Sequence, residues 1–136
     1  MTLLTLIPAR AEKVSVVSIE ATDLVEYETQ PDSVKKLIEV SLELTKQKLG
    51  YDFGSNSPAE GGMDCSGTVQ YTLSQLGLGL IPRSSWTIYE WAEAAGGLKS
   101  TPGVTSTEDP VFVDLMPGDL LFWEGTYETS DRVPAI

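Results

Sequence analysis

The residue best suited to covalent chemistry in this sequence is Cys65, the single cysteine of the chain. It follows the glycine pair at 61–62, and the apolar residues after it, Val69, Leu73 and Leu76, share one helical face. A thiol at a helix N-terminus faces unpaired backbone N–H groups and the positive end of the helix dipole, which favour the thiolate. A thiolate can attack a carbonyl carbon once a base has taken the proton. The spacing therefore makes Cys65 a candidate nucleophile.

The alternative for Cys65 is a buried, unreactive side chain, because free cysteines commonly behave as small hydrophobic residues. Its neighbours Asp64, Ser66 and Gly67 are polar or small, which does not fit an apolar packing surface. Gly67 would also lower the helix propensity of the first turn by up to about 1 kcal/mol relative to alanine. We therefore interpret Gly67 as a point of close approach by a ligand or by another backbone segment.

Composition limits the classes of function. The chain has 136 residues, the length of one domain, and its 20 acidic against 9 basic residues give a formal net charge of -11. Nucleic-acid and polybasic membrane-surface binding both need clustered Lys and Arg, so both classes are excluded. One thiol and no histidine favour neither a disulfide nor a Cys/His metal site, and we expect no metal or cofactor. No apolar run approaches the roughly 18 residues of a membrane span.

The residue pattern predicts an α+β fold. Residues 1–31 are expected to form an N-terminal arm or strand and a linker, and residues 32–136 one domain. Asp32 or Ser33 is predicted to be the N-cap of a first helix that ends at 49, and two further helices are predicted over residues 65–76 and 84–95. Strands are predicted over 111–115 and 119–123 around a Pro-Gly turn. A capping box of Thr87 and Glu90 is predicted for the third helix, and Gly50 is predicted to end the first.

Four segments resemble, in the same order, those of the NlpC-type cell-wall cysteine peptidases, a papain-like family. The central segment is Asp64–Tyr71, which contains the Asp-Cys-Ser-Gly sequence. The other three are Tyr51–Gly54, Ile81–Ser85 and Met116–Trp123. The resemblance covers about residues 34–123. It implies N-terminal helices packed on an antiparallel sheet, with the sheet incomplete at the C-terminus.

The resemblance also implies roles for individual residues. Cys65 would form a thioester with the substrate, and its backbone N–H would help to hold the oxyanion. Tyr51 would lie in the same cleft, near the oxyanion or the substrate. The remaining residues would line the subsites for a short peptidoglycan stem peptide: Asp64, Ser66, Arg83 and Ser84.

The charged members of this set would bind charged groups of the substrate, Asp64 a free amine and Arg83 a carboxylate. Each position also has a structural alternative. Asp64 is equally suited to be the N-cap of the second helix, and Arg83 to be an ion-pair residue. The alternative for Tyr51 is a loop aromatic packed on the core, and for Ser84 a cap of the third helix.

In the resembled family the base is a histidine on the strand after the last matched segment, and this chain contains no histidine. We therefore interpret the chain as truncated before that residue and expect it to be inactive alone, with self-association or completion by a C-terminal segment. The parent is expected to be a peptidoglycan endopeptidase, periplasmic or secreted because of its substrate. Two alternatives stay open: a non-catalytic NlpC-like binding module, and a papain-like amidase or acyltransferase with another substrate.

Overall fold

The computed structural model describes residues 17–106 and 108–123. Within these residues it contains three α-helices and one two-stranded sheet. In chain order the elements are α1 (Asp32–Lys46), β1 (Gly50–Tyr51), β2 (Gly62–Met63), α2 (Cys65–Ser74) and α3 (Ser85–Ala94). None of the helices in the described part is long and apolar enough to cross a membrane. The mixture of helices with a small sheet agrees with the predicted class.

The sheet differs from the expected one. β1 and β2 pair in parallel, with Gly50 opposite Gly62 and Tyr51 opposite Met63. The prediction of an antiparallel sheet is therefore wrong for the described residues. Pairing of this kind depends on a partner strand that is distant in sequence, which local residue patterns do not specify.

The two predicted C-terminal strands are absent from the described part of the chain. Pro110–Phe112 forms a 3-10 helix instead, and residues 119–123 have no regular secondary structure. Pro110 has no N–H to donate to a sheet, and the Asp109 carboxylate accepts a hydrogen bond from the Val111 N–H at 3.0 Å. These local contacts stabilise a turn where the β-branched residues indicated a strand.

The first helix begins at Asp32, with Pro31 at the N-cap in place of the predicted Asp32 or Ser33, and it ends at Lys46 rather than at 49. Lys48 has a positive φ of 53°, a left-handed conformation that turns the chain out of the helix. The Gly50 N–H then donates to the Gly61 carbonyl at 3.0 Å, so Gly50 belongs to the sheet and does not end the helix. This early exit places β1 beside the segment that leads into α2.

Residues 20–31, which belong to the predicted N-terminal arm and linker, lie against α1. They form two 3-10 turns, Ala21–Asp23 and Tyr27–Thr29. The Tyr27 hydroxyl donates to Glu39 on α1 at 2.6 Å, and this hydrogen bond raises the pKa of Tyr27 to about 12. The boundary at residue 31 stays a prediction, and most of the expected N-terminal arm lies outside the described residues.

The apolar core lies where the three helices meet the sheet. α1 packs against α2, and α2 packs against α3. The buried apolar side chains come from all of these elements and from the segment before α3: Leu44, Met63, Leu73, Ile81 and Ile88. α2 therefore packs against both of the other helices.

Candidate active site

The structure places Cys65 at the first residue of α2, with an exposed side chain. The helix begins there because Asp64, in extended conformation at the N-cap, accepts a hydrogen bond from the Gly67 N–H at 2.6 Å. An N-cap carboxylate satisfies one of the backbone donors left unpaired at a helix start. The predicted beginning of this helix is confirmed, and the thiol stands at its N-terminus.

Cys65 lines a cavity of about 760 Å³. The other residues singled out from the sequence line the same cavity: Tyr51, Asp64, Ser66, Arg83 and Ser84. Much of the remaining lining is apolar and comes from α2, α3 and the segment 120–123. A cleft with an apolar lining and few polar groups is typical of sites that bind small molecules and peptides.

Asp64 and Arg83 form a two-pronged ion pair beside the nucleophile. Arg83 Nη2 lies 2.7 Å from Asp64 Oδ2, and Arg83 Nη1 lies 3.0 Å from Asp64 Oδ1. Asp64 is only 5% exposed. Parallel hydrogen bonds between a guanidinium and a carboxylate are among the stronger polar contacts in proteins.

Further donors surround the Asp64 carboxylate. The Gly54 N–H donates to Oδ2 at 2.8 Å, and the Ser66 hydroxyl donates to Oδ1 at 3.3 Å. Burial alone would raise the pKa of Asp64, but hydrogen bonds from Arg83 and from the Gly67 and Gly54 N–H groups outweigh it and lower that pKa to about 2. Asp64 is therefore ionised in the folded protein at neutral pH.

The guanidinium of Arg83 makes two further contacts. Nη1 donates to the Ser66 hydroxyl at 3.0 Å, and Nη2 donates to the Ser55 carbonyl at 3.2 Å. The hydrogen bonds to Asp64 raise the pKa of Arg83 above its ordinary value. The contacts observed for Asp64 and Arg83 are those of the N-cap and the ion pair that the sequence left open as alternatives.

Ser55 is a part of the site that sequence reasoning missed. It is 5% exposed, its hydroxyl donates to the Gly62 carbonyl at 2.8 Å, and its carbonyl accepts from the Asp64 N–H at 3.2 Å. Its own carbonyl also accepts from Arg83. A small polar residue in a Gly- and Ser-rich loop carries no pattern that distinguishes it from solvent-exposed neighbours.

Gly67 is the point of close approach that its place in the first turn indicated. A Cβ atom built on it would collide with the Ser55 carbonyl oxygen and would lie 2.9 Å from Asp64 Oδ1. The approaching group is thus backbone from the loop before β2. Glycine at 67 lets that loop pack directly on the first turn of α2.

Replacement of Gly67 by alanine is expected to lower the free energy of unfolding by about 2 kcal/mol. Overpacking costs about 1–3 kcal/mol, and the gain of up to about 1 kcal/mol in helix propensity offsets only part of it. Ser55 cannot move away freely because its carbonyl holds Asp64 and Arg83. Urea unfolding followed by tryptophan fluorescence measures the change.

The matched control is Gly97→Ala. A Cβ at Gly97 would make an ordinary contact, 3.5 Å from the Ala92 carbonyl oxygen. This variant is expected to stay within about 0.5 kcal/mol of the wild type. Equal stabilities for the two glycine variants would contradict the role assigned to the approach of Ser55.

Ser84 and Tyr51 occupy the rim of the cavity in different ways. Ser84 is the N-cap of α3: its hydroxyl accepts from the Thr87 N–H at 3.2 Å, and the Thr87 hydroxyl accepts from the Ser84 N–H at 3.1 Å. The predicted capping box of Thr87 and Glu90 is therefore wrong by one turn, since Ser84 and Thr87 form it. Tyr51 ends β1 and is 66% exposed.

Aromatic contacts connect α3 with the segment 119–123. The rings of Trp86 and Tyr89 stack with centroids 5.7 Å apart. The rings of Tyr89 and Phe122 meet edge to face, with centroids 5.6 Å apart. Such pairs contribute about 0.5–1.5 kcal/mol beyond the area they bury. The contact between Tyr89 and Phe122 holds the segment 120–123 along the cavity that contains Cys65.

The model of the NlpC/P60 family matches residues 48–134, which include β1, β2, α2 and α3. This chain belongs to the NlpC/P60 family. The resemblance of the four sequence segments is thereby confirmed at the level of the family. Residues 124–134 of the match lie outside the described residues.

A curated member with a similar sequence is the gamma-DL-glutamyl hydrolase of Bacillus subtilis (strain 168), which is 38% identical over 81 residues. The alignment covers 59% of this NlpC/P60 chain and 16% of the relative. The chain thus spans less than a fifth of the length of that relative. No solved structure matches the chain.

The ion pair at the site predicts a loss of stability in acid. The pKa of Asp64 lies at about 2 in the folded protein against 3.8 for an ordinary aspartate. The folded state therefore favours the ionised carboxylate, and this contribution, about 2 kcal/mol, is complete above about pH 4 and is lost as the pH falls through about 2.

Urea unfolding at a series of pH values between about 5 and 2 measures this loss. The control is Asp64→Asn, in which the same part of the pH dependence is expected to be absent. Parallel pH profiles for the wild type and this variant would show that other carboxylates cause the acid sensitivity.

Proposed function

We propose that this NlpC/P60 protein is a cysteine peptidase that hydrolyses peptide bonds in peptidoglycan stem peptides through a thioester at Cys65. The observation that carries the proposal is an exposed thiol on the first residue of α2, within a cavity of about 760 Å³. A helix N-terminus supplies N–H donors and positive potential where a thiolate and an oxyanion need them. The cavity gives room for a peptide beside the sulfur.

In the proposed reaction the Cys65 thiolate attacks the carbonyl carbon of the substrate, and the electrons of the C=O bond move to oxygen. The oxyanion accepts hydrogen bonds from backbone N–H groups at the start of α2, including that of Cys65. Collapse of this intermediate breaks the C–N bond, and the amine leaves with a proton. Water then attacks the thioester carbonyl carbon, the C–S bond breaks, and the peptide leaves with a new carboxyl group while Cys65 returns to the thiol.

The reaction needs a group that takes the proton from Cys65. The chain contains no histidine, and a carboxylate is a weak base toward a thiol. The proposal therefore includes a base from outside these 136 residues, and we expect the 136 residues alone to be inactive. A C-terminal segment or a second chain would supply it.

The related Bacillus protein supports the choice of test substrates, since its name describes hydrolysis of gamma-DL-glutamyl bonds. We propose γ-linked D-glutamyl peptides and purified peptidoglycan as the first substrates to compare. Mass spectrometry of the products of the full-length protein identifies the new termini, and a sample treated with iodoacetamide is the control. An acid quench during turnover is expected to trap an acyl adduct on Cys65.

The alternative function is a non-catalytic module that binds stem peptides in the same cavity. The absence of histidine from the chain is the observation that favours it. Binding of stem peptides by the full-length protein, with neither products nor an acyl adduct, would establish this alternative. Products from amide substrates other than peptides would instead favour an amidase or acyltransferase.

A further inference from the structure

The guanidinium of Arg83 holds the residues on both sides of Cys65. Nη1 donates to Asp64 Oδ1 and to the Ser66 hydroxyl, each at 3.0 Å. Asp64 precedes the nucleophile in the chain and Ser66 follows it. Contacts to both neighbours restrict the position of the Cys65 backbone.

Arg83 also fixes the loop that supports this turn. Nη2 donates to Asp64 Oδ2 at 2.7 Å and to the Ser55 carbonyl at 3.2 Å. The Ser55 carbonyl in turn accepts from the Asp64 N–H at 3.2 Å. One side chain therefore connects the loop before β2, the N-cap of α2 and the residue after the nucleophile.

These contacts occupy four of the five N–H donors of the guanidinium. Two-pronged binding of a substrate carboxylate needs two parallel donors. Such binding would first have to break contacts to Asp64, Ser66 or Ser55. The geometry thus leaves Arg83 poorly placed for the carboxylate-binding role that the family resemblance implied.

We propose that Arg83 is a positioning residue for Cys65, and not the group that binds a substrate carboxylate. The proposal rests on the proposed hydrolysis at Cys65. By holding Asp64 and Ser66, Arg83 fixes the first turn of α2, and with it the direction of the Cys65 side chain and N–H. Small displacements of reacting groups can lower the rate of an enzyme by about 100-fold.

Charge near the sulfur is part of the same arrangement. Among the described residues that line the cavity, the titratable groups besides Cys65 are Tyr51 at the end of β1, Asp64 at the N-cap of α2, and Arg83 before α3. The negative charge of Asp64 is balanced by the guanidinium of Arg83, which forms an ion pair with it. Removal of Arg83 would leave Asp64 as an unbalanced negative charge next to Cys65, which opposes formation of the thiolate.

The test compares Arg83→Lys and Arg83→Met in the full-length protein, with Lys46→Met as a control for loss of a positive charge on α1. For each variant, kcat and KM are measured on a peptide with a free C-terminal carboxylate and on its C-terminal amide. Circular dichroism at the assay temperature establishes that the variant is folded. We expect both Arg83 variants to lower kcat by about 10–100-fold and to change KM by less than about twofold on both peptides.

Lysine keeps the charge but cannot hold Asp64, Ser66 and Ser55 together, so we expect it not to restore kcat. Restoration of kcat by lysine would overturn the proposed positioning. A tenfold rise in KM confined to the carboxylate peptide would also overturn it, because it would identify Arg83 as the carboxylate-binding group. Lys46→Met is expected to behave as the wild type.

A second measurement separates this proposal from the proposed function. The rate of Cys65 alkylation by iodoacetamide needs no substrate and no hydrolysis. We expect Arg83→Met to slow alkylation at neutral pH by about threefold or more relative to Lys46→Met. Equal alkylation rates would overturn the positioning role even if the wild-type protein cleaves no peptide.

If Arg83→Met does not fold, Ser66→Ala serves in its place. This change removes the hydroxyl that accepts from Arg83 and donates to Asp64, and it keeps both partners of the ion pair between Arg83 and Asp64. We expect a loss of kcat by about threefold or more, with KM unchanged for both peptides. A wild-type kcat in this variant would contradict the proposed action through both neighbours of Cys65.

Discussion

Replacement of Cys65 by serine is expected to lower kcat by about 10⁴-fold or more on any substrate that the protein cleaves. A hydroxyl at the start of α2 has the shape of the thiol but forms its anion far less readily at neutral pH. The N–H donors at the helix start stay in place, so the variant loses the nucleophile and keeps the site. Product formation measured by chromatography tests this expectation.

Binding and stability are expected to change little in the same variant. The Cys65 side chain is exposed, so the free energy of unfolding should stay within about 0.5 kcal/mol of the wild type. Peptide affinity, measured by calorimetry, is expected to be retained. A Cys65→Ser variant that keeps more than a tenth of the wild-type kcat would refute the thioester mechanism.

Residues close together in sequence made the start of α2 predictable. Asp64 caps the helix three residues before Gly67, and both the cap and the glycine are visible as local patterns. The place of Cys65 at the N-terminus followed directly. The thiol could therefore be located from the sequence alone, whereas its role stays a prediction.

The contacts of Arg83 were harder to predict because they are not local. Asp64 and Arg83 are 19 residues apart, and Ser55 and Arg83 are 28 apart. The sequence showed a carboxylate and a guanidinium at suitable family positions, but not that each binds the other. From the sequence, Arg83 could either bind a substrate carboxylate or form an ion pair. The hydrogen bonds between Arg83 and Asp64 are those of an ion pair.

The prediction of two C-terminal strands was wrong for a related reason. Phe122 and Trp123 have strong β propensity, but a strand also needs a neighbouring chain segment for its N–H and C=O groups. In the described residues this segment instead places Phe122 on Tyr89, near the cavity. The aromatic side chain of Phe122 therefore packs on α3, but the predicted strand does not form.

Replacement of Asp64 by alanine is expected to lower the free energy of unfolding by about 3–5 kcal/mol, the largest stability change predicted for this chain. Asp64 is 5% exposed, forms the ion pair with Arg83, and caps α2 through Gly67. Its removal leaves the Gly54 and Gly67 N–H groups and the Arg83 guanidinium without their acceptor. Loss of the cap alone costs about 1 kcal/mol.

The matched control is Asp114→Ala, since Asp114 forms an ion pair with Lys99 at the surface. That pair is longer, at 3.8 Å, and its side chains are 64% and 81% exposed, against 34% and 7% for Arg83 and Asp64. Solvent screens an exposed pair, so its loss is expected to cost about 0.5 kcal/mol or less. Urea unfolding of the two alanine variants gives the comparison.

A double-mutant cycle separates the ion pair from the other contacts of Asp64. We expect Asp64→Ala and Arg83→Met together to cost less than the sum of the single changes, with a coupling of about 2 kcal/mol. Asp64→Ala removes the helix cap and the Gly54 contact whether residue 83 is arginine or methionine, so these contacts do not enter this coupling. Strict additivity would mean that Asp64 stabilises the start of α2 through backbone donors alone, and that the fork of Arg83 contributes nothing to holding the turn that bears Cys65.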